Sequence, residues 1–153
     1  MKIAKRKLIF IIIAGVLLLT SIVFYAIFYP GNRVVMIFQS MDNNLNYCES
    51  RFMPKYTVQG KLGFFVDELL LGSVMPRYRP LFANGTKTLS CFVDENDTLY
   101  INLNEKALIA ADKSSETLMA CSLLKKNIFK NFSNIKNIEV YIMGNLITEN
   151  NKI

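Results

Sequence analysis

The pattern of hydrophobic positions divides the chain into one long apolar run and a remainder in which short periodic segments alternate with polar turns. The run covers residues 8–28, where 18 of 21 residues are apolar and none is charged. A helix of this length spans about 31 Å, close to the ~30 Å hydrocarbon core of a bilayer. The run therefore predicts a transmembrane helix, and the lipid bilayer is the first predicted partner.

The charges around this run predict its orientation. Lys2, Lys5, Arg6 and Lys7 precede it, so the positive-inside rule makes residues 1–7 a cytoplasmic tail and places the rest outside the cytoplasm. A cleaved signal peptide is the alternative, but its apolar region is normally shorter and ends in small residues, whereas this run ends in bulky ones. We expect an uncleaved, single-pass signal-anchor in the cytoplasmic membrane.

Residues 33–147 carry the patterns of a folded domain. Val34–Gln39 is rich in β-branched residues and predicts a strand, and the asparagine-rich Ser40–Glu49 predicts a polar loop. Arg51–Val58 predicts a weaker strand because it contains a proline. Gly60–Leu71 has apolar residues at steps of three and four, which predicts an amphipathic helix ended by glycine. Ser73–Gly85 is rich in breakers and predicts a loop.

The second half of this domain predicts a hairpin, a helix and a final strand. Apolar and polar residues alternate through Thr88–Asp94 and Leu99–Asn104 around a polar turn. An amphipathic helix runs from Ser114 or Ser115 to Phe132, and Ile138–Met143 alternates again. These elements predict an α+β fold, a two-layer domain with two helices packed on a mainly antiparallel sheet. Residues 148–153 are left as a C-terminal tail.

The net charge of +6 does not indicate a nucleic-acid-binding surface. Lysines and arginines total 18 against 12 acids, and four of the positive charges lie in the first seven residues. The remaining chain has 14 against 12, only +2, so no nucleic-acid partner is expected. The chain also has no histidine, which excludes Ser-His-Asp and Cys-His catalysis and His-ligated metal sites.

The remaining chemistry-bearing residues show no catalytic arrangement. The three cysteines are too far apart for a metal clip or a redox pair, although Cys91 and Cys121 both fall on core faces and either pair or stay free. No phosphate loop or nucleophile motif is present, so we expect no catalytic, cofactor or metal residues and no enzyme. Carboxylate-based glycoside hydrolysis is the enzymatic alternative, but no acid pair forms a recognisable site.

One loop is a candidate for binding. Arg77, Tyr78 and Arg79 place two cations beside an aromatic ring between two prolines. Arginine forks bind carboxylate and phosphate, and a tyrosine ring can stack on a sugar or a partner side chain. The alternative is a solvated loop whose tyrosine packs over the first helix of the domain.

Three motifs resemble the GerMN domain of bacterial sporulation and germination proteins: Asp67–Gly72, Pro80–Thr86 and Leu99–Asn104. The resemblance covers roughly Arg33–Ile147. The sequence departs from the family pattern at Ala83-Asn84, where a proline is common, and at Asn102, where an aspartate is usual. GerMN domains are similar to ring-building motifs and are commonly anchored outside the cytoplasmic membrane. The resemblance therefore implies scaffolding or assembly in the cell envelope, and it transfers no catalytic residues.

Two functions follow from these observations as expectations. The first is a membrane-anchored interaction protein that binds envelope proteins or further copies of itself through an unpaired sheet edge, provided by Arg51–Val58 or Ile138–Met143. The second is a tethered module that binds cell-wall polymer through Arg77, Tyr78 and Arg79.

Overall fold

The computed structural model describes residues 2–28, 31–54, 57–109 and 114–147, which fall into two compact units divided after Gly31. The first unit contains helix α1 (Lys2–Phe28), whose side chains from Ile9 to Ala26 are all exposed. By length and composition this helix can cross a membrane, a property that signal sequences share with anchors. The predicted tail at 148–153 lies outside the described residues.

The second unit alternates strands and helices. Its helices are α2 (Gly60–Leu71), α3 (Lys106–Ile109) and α4 (Ser114–Asn131). Its strands are β1 (Asn32–Ser40), β2 (Asn46–Met53), β3 (Tyr78–Arg79), β4 (Thr88–Val93), β5 (Thr98–Leu103), β6 (Asn137–Ile142) and β7 (Asn145–Leu146). The predicted α+β class is confirmed, and the strands divide between two sheets. Because β3, α3 and β7 have only two to four residues, they are too short to show a hydrophobic period.

The first sheet has the order β2-β1-β3 and corrects one prediction. The second strand was predicted at Arg51–Val58, but β2 begins at Asn46, inside the segment expected to be loop, and ends before Pro54. It pairs antiparallel with β1 from Asn32↔Met53 to Gln39↔Asn46. An edge strand with one exposed face needs little apolar periodicity, which is why its sequence looked like a polar loop.

The second sheet has the order β4-β5-β6-β7 and contains one parallel pair. The hairpin predicted around residues 94–97 is confirmed as β4 and β5. Strands β5 and β6 run parallel because α4 lies between them in the chain and carries it back across the sheet. A register shift between Thr88 and Ser90 marks a bulge in β4.

Helices α2 and α4 share a core with both sheets. The Phe65 ring of α2 meets the Phe132 ring edge to face, with centroids 5.2 Å apart. Large apolar side chains from β1, α2, β5, α4 and β6 are completely buried, among them Phe38, Phe65, Leu69, Ile101, Leu124 and Val140. Each such side chain stabilises the fold by about 1.5–3 kcal/mol relative to leaving it exposed.

Candidate functional site

The predicted binding loop does not present its three residues together. Backbone pairing of Tyr78 with Ser40 and of Arg79 with Gln39 makes β3 a short extension of the first sheet. The Tyr78 ring is half-buried and stacks on Tyr47, with centroids 5.6 Å apart and an interplanar angle of 14°. Arg79 is exposed. Because adjacent strand residues point to opposite faces, the ring and this guanidinium are separated.

Arg77 lies just before β3 and is also exposed. Its carbonyl oxygen accepts a hydrogen bond of 3.0 Å from the Met41 amide, which ties the loop to the β1–β2 turn. Of the two arginines, Arg79 lines the adjacent groove and Arg77 does not. The sequence motif therefore divides into one aromatic side chain used for packing and one cation available at a concave surface.

This groove, hereafter the α4 groove, has a volume of about 840 Å³. One wall is the part of α4 from Thr117 to Lys126, including Ala120 and Leu123. The opposite wall carries Gln39 at the end of β1 and Arg79 on β3. The volume lies within the range of small-molecule sites, roughly 300–1,000 Å³.

Two asparagines of α4 fix this helix against β1. The Asn127 side chain accepts a hydrogen bond of 2.6 Å from the Ile37 amide and donates one of 2.9 Å to the Ile37 carbonyl. Asn131, one turn later, repeats this exchange with Val35 at 2.9 and 2.8 Å. A carboxamide presents a donor and an acceptor side by side, as a backbone peptide does. The pair therefore occupies the edge of β1 in place of a neighbouring strand.

The asparagine pair was missed in the sequence. In the helix predicted from Ser114 or Ser115 to Phe132, the apolar stripe contains Leu124, Ile128 and Phe132, and Asn127 and Asn131 lie at its border. One sequence feature could have revealed the pair: two asparagines lie four residues apart inside a predicted helix. Asparagine is unfavourable in a helix interior unless its side chain is hydrogen-bonded.

The opposite edge of the same sheet is open. Residues Ile37 and Val35 send their amides toward α4, so they form non-hydrogen-bonded pairs with Cys48 and Ser50 of β2. In such pairs the backbone groups of both residues point away from each other. The N–H and C=O groups of Cys48 and Ser50 therefore point outward, and no strand among the described residues pairs with that side of β2.

The inner face of β2 is held by an ionic cluster. The Arg51 guanidinium contacts Glu49 at 2.6 Å and Glu68 at 3.1 Å, and donates 2.6 Å to the Gly72 carbonyl. Gly72 ends α2 with φ +88°, a conformation that favours glycine, and Arg51 thus binds the C-terminal end of that helix. The Ser73 hydroxyl donates a short hydrogen bond to Glu49.

This cluster changes the acidity of Glu49. Burial raises the pKa of the carboxyl group, but hydrogen bonds from Ser73 and Arg51, together with the charge of Arg51, outweigh it and hold the pKa below its usual value. The carboxylate is therefore ionised at neutral pH and belongs to the packing of β2 against α2.

Two of the motifs that resemble GerMN sequences, Pro80–Thr86 and Leu99–Asn104, take part in two hydrogen-bonded turns. Gly85 has φ +87°, and its carbonyl accepts a hydrogen bond of 3.1 Å from the Asn104 side chain, which also accepts from the Lys87 amide. The Asn102 side chain accepts a hydrogen bond of 3.1 Å from the Gly144 amide. In this chain these motif residues have a structural role, since they close turns beside β5.

The outer face of the second sheet carries three neighbouring rings. Phe92 stacks on Tyr100 with centroids 5.2 Å apart, and Tyr100 lies 6.4 Å from Tyr141. The Tyr141 hydroxyl donates to Glu139 at 2.6 Å, which raises the pKa of that phenol. The rings form a row across β4, β5 and β6, and Phe92 at its end on the edge strand remains 56% exposed.

The cysteines are free thiols in three environments: Cys48 is exposed, Cys91 half-buried and Cys121 buried. Burial raises the pKa of Cys91 to about 11, with the charge of Asp67 adding to the effect, and burial raises that of Cys121 to about 11. Both are protonated at neutral pH and are poor nucleophiles. Among the described residues, no group of three Cys, Asp or Glu side chains is placed to hold a metal ion.

The fold defines a small α+β domain in which two helices pack on mainly antiparallel strands. The family model Germane, described as sporulation and spore germination, matches residues 44–148, and the chain belongs to this family. The first GerMN domain of the sporulation protein GerM from Bacillus subtilis has a similar structure, with a TM-score of 0.59 and 14% identity over 78% of this chain and 90% of that one. The resemblance to the GerMN family is thereby confirmed.

The tandem GerMN domains of the same Bacillus subtilis protein also match, with a TM-score of 0.56 and 14% identity. That match covers 77% of this chain and 42% of the tandem. At this identity both similarities concern the fold. No curated protein matches the sequence significantly.

Proposed function

We propose that this protein is a membrane-anchored, non-enzymatic interaction protein of the bacterial cell envelope, with a scaffolding or assembly role. Helix α1 is the anchor, the N-terminus is cytoplasmic, and the GerMN domain is extracytoplasmic. The observation that carries the proposal is the open edge of β2. The domain that presents this edge belongs to a family whose description is sporulation and spore germination. Envelope proteins or further copies of the chain are the proposed partners.

The β2 edge is suited to strand addition. Cys48 and Ser50 point their backbone groups outward, and by alternation Phe52 does so as well. An extended segment of a partner could form main-chain hydrogen bonds with these residues without any special side chain. Phe52 is 55% exposed beside this edge and offers an apolar contact. Of the two segments expected to provide an edge, Ile138–Met143 is less suitable because β6 lies between β5 and β7.

Crosslinking in cells tests the binding surface. A photoreactive residue at Phe52 in the full-length protein should capture a stoichiometric partner or a second copy. Ser50→Pro should abolish this product, because it removes an outward N–H while leaving the bonds between β1 and β2 intact. Ser50→Ala is the matched control and should crosslink normally. Persistence of the product in Ser50→Pro, at equal protein level, would exclude strand addition at β2.

Thiol labelling tests the anchor and its orientation. A membrane-impermeant maleimide added to intact spheroplasts should label the exposed Cys48, and Cys48→Ser should remove the label. Mass spectrometry should show that the labelled, membrane-bound protein retains Lys2–Lys7. A mature N-terminus after the apolar run would contradict the anchor, and labelling only after lysis would contradict the orientation.

A second candidate function is binding of cell-wall glycan by the tethered module. It is favoured by the α4 groove, which Arg79 lines.

A further inference from the structure

We propose that the α4 groove binds an acidic saccharide, meaning an oligosaccharide that carries carboxylate or phosphate groups. Two cationic side chains line the groove, Arg79 on β3 and Lys126 on α4, and none of the described residues lining it is acidic. A guanidinium fork and an ammonium group are the side chains that most often bind carboxylate and phosphate in proteins. Charge complementarity therefore selects an anionic ligand.

The rest of the lining suits a sugar. Amide and hydroxyl side chains surround the cations and supply both donors and acceptors, as multiple sugar hydroxyls require. They are Gln39, Asn44, Asn46, Thr117 and Ser122. Apolar side chains, including Leu81, Phe82 and Leu123, provide surface for the C–H faces of sugar rings. A free inorganic anion would use the cations and leave this apolar surface without a role.

The backbones that carry the two cations are held in place before a ligand arrives. Backbone pairing with Gln39 fixes the position of Arg79 at the groove wall. Lys126 precedes Asn127, whose side chain is bonded to Ile37 and also donates 2.9 Å to the Leu123 carbonyl. Pre-positioned backbones reduce the ordering cost of binding. The asparagine pair therefore fixes α4, which forms one wall of the groove, as well as closing the β1 edge.

This inference goes beyond strand addition and does not depend on it. Arg79 and Lys126 lie on β3 and α4, whereas the outward backbone groups belong to β2. A variant that no longer binds glycan could still form the crosslink at β2, and a variant that no longer forms the crosslink could still bind glycan. The two experiments are thus separable.

The test uses the full-length protein in detergent micelles and three defined probes. These are the disaccharide of N-acetylglucosamine and N-acetylmuramic acid, the neutral disaccharide chitobiose, and chitobiose 1-phosphate. Affinity is measured by calorimetry or by NMR titration. At least one acidic probe should bind, with perturbations at Leu123 and Gln39, while chitobiose binds much more weakly. The preferred acidic probe distinguishes a carboxylated from a phosphorylated source.

Charge-matched variants locate the binding. Arg79→Gln with Lys126→Gln should weaken the acidic probe about tenfold or more, since two charge-assisted contacts are lost. Arg77→Gln with Lys130→Gln removes the same charge from residues outside the groove lining and should leave affinity unchanged. Ser122→Tyr, an exposed position, fills the groove at constant charge and should also weaken binding.

Three results would overturn the proposal. These are equal affinity for chitobiose and the acidic probes, equal loss in both double variants, or no binding of either acidic probe. Melting temperatures of the two double variants should agree, because all four cations lie on exposed or partly exposed side chains.

Discussion

Replacing Asn127 by leucine tests the central structural claim, that a side-chain amide serves as the missing neighbour of β1. The residue is completely buried and bonds both backbone groups of Ile37. Leucine has the same branching, so Asn127→Leu removes the hydrogen bonds with little change of shape. It leaves one N–H and one C=O buried without partners, at about 1–3 kcal/mol each.

The expected loss in the free energy of unfolding is therefore about 2–6 kcal/mol, reduced somewhat because a leucine side chain gains from burial. Small domains have only about 5–15 kcal/mol in total, so the change should be large. Urea unfolding of the full-length protein in micelles, followed by near-ultraviolet circular dichroism, measures it. Hydrogen exchange at the Ile37 amide adds a local readout, which should show lost protection.

Two further variants make the result interpretable. Asn134→Leu, at an exposed position, should change the free energy by less than about 0.5 kcal/mol. Asn127→Asp keeps the acceptor but places a carboxylate against the Ile37 carbonyl. Burial should raise the pKa of that carboxyl, so this variant should regain stability as the pH falls and the group becomes a donor. If Asn127→Leu is no worse than the control, or Ile37 stays protected, the reasoning fails.

Three other outcomes are expected. Because the pKa of Glu49 is lowered in the folded state, its contribution to stability is present above the usual carboxyl pKa and is lost as the pH falls through the lowered value. Glu49→Gln should therefore reduce the loss of unfolding free energy between pH 7 and pH 3. Gly85→Ala should lower the free energy of unfolding by about 1–2 kcal/mol, because residue 85 has a left-handed backbone. Gly144 has φ +81° and open space for a Cβ, so Gly144→Ala should cost no more. A Gly85→Ala variant with unchanged thermal unfolding would contradict the turn geometry. In a dithiobis-nitrobenzoate assay Cys48 should react in the native protein and Cys121 only after unfolding, and early reaction of Cys121 would show that α4 is not packed as described.

Local patterns in the sequence determined much of the second unit. Helix α2 lies at the predicted Gly60–Leu71, because a stripe of apolar residues and a terminal glycine are both readable within one segment. The hairpin of β4 and β5 followed from alternation around a polar turn. The apolar run predicted a helix long enough to cross a bilayer, because composition and length within one segment are sufficient for that prediction. Short motifs also sufficed for the resemblance to GerMN domains.

Tertiary structure decided the features on which the proposed functions rest. Asn127 contacts Ile37 across 90 positions of sequence, and this contact fixes α4, one wall of the α4 groove, against β1. The place of β2 at a sheet edge, and the separation of Tyr78 from Arg79, depend on pairing with other segments of the chain. Hydrophobic period reports which face of an element is buried, but it does not report which element covers that face or which edge has no neighbour.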